Sequence, residues 1–314
     1  MAGVWRAVRQ LNPRNVRSEA GRGVRIAVMG EPGQLQETAR FLLGEQTDSY
    51  DRAGDALLLL PTPLDSAAFG LLPHCDVVVC FCDKSEGFPG VAEERVFDLE
   101  STADLPAVTD RIVQETSLAS SRLPLARSFP GFRRAAAREI VQTTSIENAV
   151  FVASTSLGNV IPNPLQPLAS VAEALGDMVV LTANQVRMLF RLGAAFDRQI
   201  GVRQQMPEVL TILGAAVGWR SVARELVSKL PFGSGVVPKA GIAFAGTWAI
   251  GDAVSYYYTT GRRLSKEEIR QRFETAQDVG RTAVESIVAR LRESFQKGDA
   301  QPGAEASQNR EPTP

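Results

Sequence analysis

The chain has 314 residues, 44% of them hydrophobic and 22% charged, with a formal net charge of -1. That is ordinary globular composition with room for two domains of about 100–200 residues, which excludes a disordered chain, a collagen and a disulfide scaffold. No overall basic field points to nucleic acid.

Arginine carries the positive charge, since only Lys84, Lys229, Lys239, Lys266 and Lys297 are lysines among the 34 cations. Residues 1–23 form a basic arm: six arginines fall within residues 1–25 against the single acid Glu19. Val4, Trp5, Val8 and Leu11 share one face of a short helix before Pro13. The arm reads as a frayed terminus with a solvated charged face, or as an anchor for an anionic surface or a partner. No apolar run follows these arginines, so no signal peptide is expected.

An α/β pattern covers residues 24–118. Val24 to Met29 reads as a strand leading to Gly30, and Gln34 to Leu43 as a helix. Ala56 to Leu60 is a second buried run, stopped by Pro61 and Pro63, and Asp76 to Cys82 is a third. Continuous apolar runs of this length fit parallel strands covered on both faces. A weaker strand is expected near Arg95 to Leu99, followed by a helix from Thr102 to Ser117.

The strand ending at Gly30 invites comparison with a phosphate loop. That motif needs GxxxxGK[ST], where backbone amides cradle phosphate, lysine neutralises it and a hydroxyl holds magnesium. Here Gly30 and Gly33 remain, but Leu35, Gln36 and Glu37 occupy the glycine, lysine and hydroxyl positions. Glu31 and Glu37 would also set negative charge beside a phosphate, a repulsion costing kilocalories in a site of low dielectric. An Asp-x-x-Gly after the second strand is replaced by Pro61-Thr62-Pro63-Leu64. The pair Gly30 and Gly33 therefore reads as a vestigial phosphate loop; GTP binding is disfavoured and no cofactor is demanded. G-x-G-x-x-G is absent, which weakens a dinucleotide reading.

The lone histidine, His74, and the cysteines Cys75, Cys80 and Cys82 carry little chemistry. An odd, local cluster of cysteines implies no disulfide framework and fits a reducing cytoplasm. Side chains of neighbouring strand residues point apart, so neither a metal site nor a Cys-His pair is expected.

Residues 119–296 read as helical. Helices are expected over 131–157, 168–181, 183–199, 207–229, 239–258 and 265–295, with Pro162 to Pro167 as a break. No run of 18 apolar residues occurs, and Ala240 to Gly251 offers only twelve between Lys239 and Asp252. That length suits a buried helix or partial insertion rather than a full span. Gly241, Ala245 and Ala249 recur every four residues and mark a face for close helix packing, with Gly246 and Gly251 beside it. Arg127, Arg133, Arg134 and Arg138 cluster near a helix N-terminus, where the dipole disfavours cations unless an anion joins them. Arg220 and Arg224 share a helical face beside Trp219 and are candidates for a lipid head group or a solvated edge. The final helix opens with a capping box, Ser265 and Glu268, and a staple of Leu264 with Ile269. Ile269, Phe273, Ala276, Val279, Ala283, Ile287 and Leu291 then form an apolar stripe. Residues 297–314 have the composition of a disordered tail.

Several blocks of this half form a recognisable text: Ala126 to Arg134, Leu181 to Gln185, Gly218 to Leu226 and Lys239 to Gly251. Together they resemble the helical domain of YcjF-type proteins, which is often fused to Era-like GTPase domains. The resemblance covers about residues 125–262 and implies a helical module, often assigned to membranes, beside a GTPase-like domain. The expected fold class is thus a degenerate P-loop GTPase-like α/β domain, mostly parallel, followed by an all-α domain.

Three functions follow as expectations. The first is a non-catalytic GTPase-like scaffold or regulator at the cytoplasmic membrane face, meeting a protein partner or an anionic membrane surface. The second is a GTP-binding protein with a rearranged site. The third is an integral membrane protein whose helical half inserts.

Overall fold

The computed structural model describes residues 13–44, 54–81, 88–158, 166–201, 204–205 and 236–299. The order is α1 (Arg14–Ala20), β1 (Ile26–Gly30), α2 (Pro32–Leu43), β2 (Leu57–Pro61), α3 (Ser66–Leu71), β3 (Val77–Cys80) and β4 (Val96–Asp98). There follow α4 (Leu105–Gln114), α5 (Arg122–Ser128), α6 (Arg133–Gly158), α7 (Gln166–Ala195), α8 (Val236–Thr260) and α9 (Lys266–Asp299). An α/β region thus precedes a mostly helical remainder.

The four strands form one parallel sheet in the order β2-β1-β3-β4. β1 and β3 are central and buried throughout, which is why their sequences are unbroken apolar runs rather than alternating ones. Their side chains divide by parity. Ile26, Val28, Val77 and Val79 join a cluster with Leu35, Leu42, Val108 and Ile112 from α2 and α4. Ala27, Met29, Val78 and Cys80 pack on the opposite face with Leu60, Leu72 and Cys75.

The first cluster runs on without interruption across residue 118, through Phe129 and Phe132 into Met188, Leu192 and Val254 of the long helices. The sheet and the helices therefore share a core. The basic arm contributes to it as well. Residues 14–20 are not a frayed terminus, because α1 docks against α5 and α7. Arg17 Nε donates to the Ile200 carbonyl at 3.1 Å, Arg191 pairs with Glu19 at 3.2 Å, and Arg22 donates to Ser121 Oγ at 2.8 Å. Residues 1–12, with the expected helix before Pro13, lie outside the described residues.

One helix, Gln166–Ala195, replaces the two expected over 168–181 and 183–199. Nothing between Leu181 and Asn184 breaks a helix, and Asn184 is satisfied there because its amide donates to Asn148 Oδ1 of α6 at 2.9 Å. The turn that follows α7 places Asp197 in the left-handed region (φ 53), with the Arg198 amide returning to the Gly193 carbonyl at 2.8 Å. An aspartate tolerates that conformation where a β-branched residue does not. Helix α8 packs against both α6 and α9, and it also touches α7.

Candidate functional site

In open parallel sheets, ligands bind outside the carboxyl ends of the strands where the strand order reverses. Here that point lies between β1 and β3. β1 ends at Gly30 and α2 begins at Pro32, so Glu31 alone connects them, and Gly33 already belongs to the helix. A helix N-terminus ordinarily leaves amides for an anion. Pro32 has none to offer. Glu31 and Gln34 form a capping box, in which the Gln34 side-chain oxygen accepts the Glu31 amide at 2.9 Å. The Leu35 amide donates to the Glu31 carbonyl at 3.0 Å.

The space over Gly30 is filled from within. A Cβ placed there would lie 2.8 Å from Gln34 Oε1 and 2.9 Å from the Phe81 ring, at the exit of β3. Leu35 is buried beneath the sheet, while Gln36 and Glu37 are exposed on α2. Glu37 accepts from the Thr102 hydroxyl at 2.5 Å. At the end of β2 the Thr62 amide donates to the Gly30 carbonyl at 3.1 Å.

The four arginines grouped at 127–138 do not converge. Arg127 turns toward α1 and α7, pairing with Asp197 at 3.1 Å and donating to the Ala20 carbonyl at 3.3 Å. Arg138 pairs with Asp110 of α4 at 2.7 Å. Arg133 is half-buried, and Arg134 is exposed without an ion pair or hydrogen bond among the described residues. The neighbouring Arg122 is bound up in the fold: it pairs with Glu139 at 3.3 Å and donates to the carbonyls of Gln114 and Glu115, which end α4.

Arg134 and Arg138 do meet other groups. They line a half-open groove of about 480 Å³ between the start of α6 and the C-terminal turns of α8. Its floor is apolar, from Ala137, Val141, Phe196 and Trp248. Its far rim carries Arg272 of α9, which pairs with Asp252 and lies 4.9 Å from the centre of the Tyr256 ring. No local pattern in the sequence could join Arg134 to Arg272, because only the packing of α6, α8 and α9 brings them to one groove. Arg220 and Arg224 lie outside the described residues.

The small-residue face of α8 is only partly a packing face. Ala245 and Ala249 are buried against Phe273 and Ala276 of α9. Gly251 marks a close crossing, since a Cβ there would stand 2.5 Å from Val141 Cγ2 of α6 and 3.0 Å from Met188 Sδ of α7. A Cβ on Gly241 or Gly246 would meet no described atom within 4 Å, so neither is a packing position against the described helices. A close approach without a signal in the sequence is Gly280 of α9, which seats the Phe244 ring. Between these layers lies a buried polar cluster. Asn148 of α6 and Gln185 of α7 both donate to Thr247 Oγ1 of α8, at 2.8 and 3.2 Å.

No described helix is long and apolar enough to cross a membrane. His74 is exposed whereas Cys75 is buried, its thiol pushed upward by burial and directed at the Leu71 carbonyl at 3.6 Å. Among the described residues no three His, Cys, Asp or Glu side chains gather as metal ligands. Compared with protein-family models, curated proteins and solved structures, the chain matches none.

Proposed function

We propose that the chain is a non-catalytic GTPase-like scaffold or regulator. In this reading a sheet without a triphosphate grip is joined to a helical module of the YcjF type. It works through protein or lipid contacts at the cytoplasmic face of a membrane. The observation that supports it most is the junction of β1 and α2, where one residue links strand to helix and the protein's own Glu31 and Gln34 cap the helix start. A triphosphate needs several free amides and a cation at that place. Gln36 and Glu37 supply neither, and the ring of Phe81 with the amide of Gln34 covers Gly30. The shared core supports a rigid platform rather than two mobile lobes.

Direct measurement of GTP and GDP binding with magnesium, by calorimetry on the full chain, tests this reading. It requires no binding at millimolar nucleotide.

A further inference from the structure

We infer that the groove between α6, α8 and α9 binds an organic anion with an apolar body, held at its head by Arg134 and along its length by the apolar floor. The inference goes beyond the reading above, and nucleotide binding at α2 would overturn that reading while leaving this one standing.

Three observations lead to it. First, Arg134 occupies the opening turn of α6, and Arg138 follows four residues later on the same helix. Cations in a first turn oppose the helix dipole, and like charges four apart repel, so local preference alone would not place them there. Second, their charges are unequally answered. Asp110 takes up Arg138, and Asp252 takes up Arg272, whereas Arg134 has no carboxylate or carbonyl among the described residues. A guanidinium carries five N–H donors, so Arg138 and Arg272 each retain donors to share with an incoming anion. Third, the cations stand above apolar surface. Val141, Phe196 and Trp248 lie in the same groove, and its volume of about 480 Å³ falls within the 300–1,000 Å³ common for small-molecule sites.

A charged rim over an apolar floor matches a molecule with an anionic head and a hydrocarbon or aromatic body. Inorganic phosphate would use the rim alone and leave the floor wet. A neutral hydrocarbon would leave Arg134 unanswered. Phosphate and carboxylate heads share the required chemistry, and either could belong to a membrane lipid or to a free molecule.

The test uses the full chain and decyl phosphate below its micellar concentration, followed by isothermal titration calorimetry. One site is expected, with inorganic phosphate weaker by about tenfold or more. Replacing Arg134→Ala is expected to weaken decyl phosphate by about tenfold, the loss of one charge-assisted contact. Arg281→Ala removes an exposed arginine of α9 that pairs with Glu285 at 3.2 Å, and is expected to leave binding unchanged. Arg134→Gln is the second variant, and an unaltered unfolding midpoint in either shows that loss of binding is not loss of fold. Sedimentation with phosphatidylcholine vesicles, with and without phosphatidic acid, identifies the source. Arg134-dependent sedimentation assigns the head to a lipid, whereas decyl phosphate binding without it assigns the head to a free molecule. The inference is overturned if decyl phosphate gives no binding heat, if both Arg134 variants bind as the native chain does, or if inorganic phosphate binds as tightly.

Discussion

The side-chain oxygen of Gln34 lies 2.9 Å from the Glu31 amide and 2.8 Å from the place where a side chain on Gly30 would begin. One atom therefore takes up the amide of the residue that precedes α2 and covers the end of β1. The same residue that removes a free amide also occupies the open face of the glycine beside it.

Replacing Gln34→Ala should accordingly destabilise the fold. The Glu31 amide loses its acceptor and half of the capping box is gone, which costs about 0.3–1.5 kcal/mol. Urea unfolding followed by circular dichroism measures it. An unchanged midpoint would show that water replaces the amide at no cost.

Gly251 and Gly246 of α8 should respond in opposite directions. Gly251→Ala forces a methyl group to within 2.5 Å of Val141, and such overpacking costs about 1–3 kcal/mol. Gly246→Ala meets no described atom and gains helix propensity, about 0.5–1 kcal/mol in favour of the fold. Thermal unfolding of the two single variants compares them directly. Equal effects would contradict the crossing of α6 and α8 at Gly251.

Legibility in the sequence followed the range of the interaction. β1 and β3 could be read because burial on both faces leaves uninterrupted apolar runs, Ile26 to Met29 and Val77 to Cys80. The start of α9 could be read because a capping box is local: Ser265 and Glu268 exchange bonds at 2.7 and 3.2 Å. Its stripe was legible only at first. Ile269, Phe273 and Ala276 are buried as expected, but beyond them the buried apolar side chains among the described residues are Val284 and Val288, with Ala283 and Ile287 only half-buried, while the side chain of Val279 lies outside the described ones. A spacing of 3.6 residues keeps residues 280, 284 and 288 on the inner face, and Gly280 there carries no apolar signal. The groove could not be read. Arg134 and Arg138 were visible as a cluster, but Trp248, Asp252 and Arg272 join them only through tertiary packing.

Acid should loosen the first turn of α9. The Ser265 amide and hydroxyl hold the Glu268 carboxyl below its ordinary value. A lowered folded value means that this stabilisation is complete above the unfolded pKa, about 4.3 for glutamate, and is lost as pH falls through the lower folded one. The Ser265 amide resonance should therefore titrate with a midpoint below that of free glutamate and stay flat in Glu268→Gln. A midpoint at or above the free value would contradict the assigned bond.

Calorimetric titration of the full chain with GTP and magnesium bears most directly on the central claim, that the exit of β1 is sealed by the protein's own side chains. No binding heat at millimolar GTP is the expected result. Magnesium-dependent binding that weakens when Gln36 or Glu37 is replaced would contradict it.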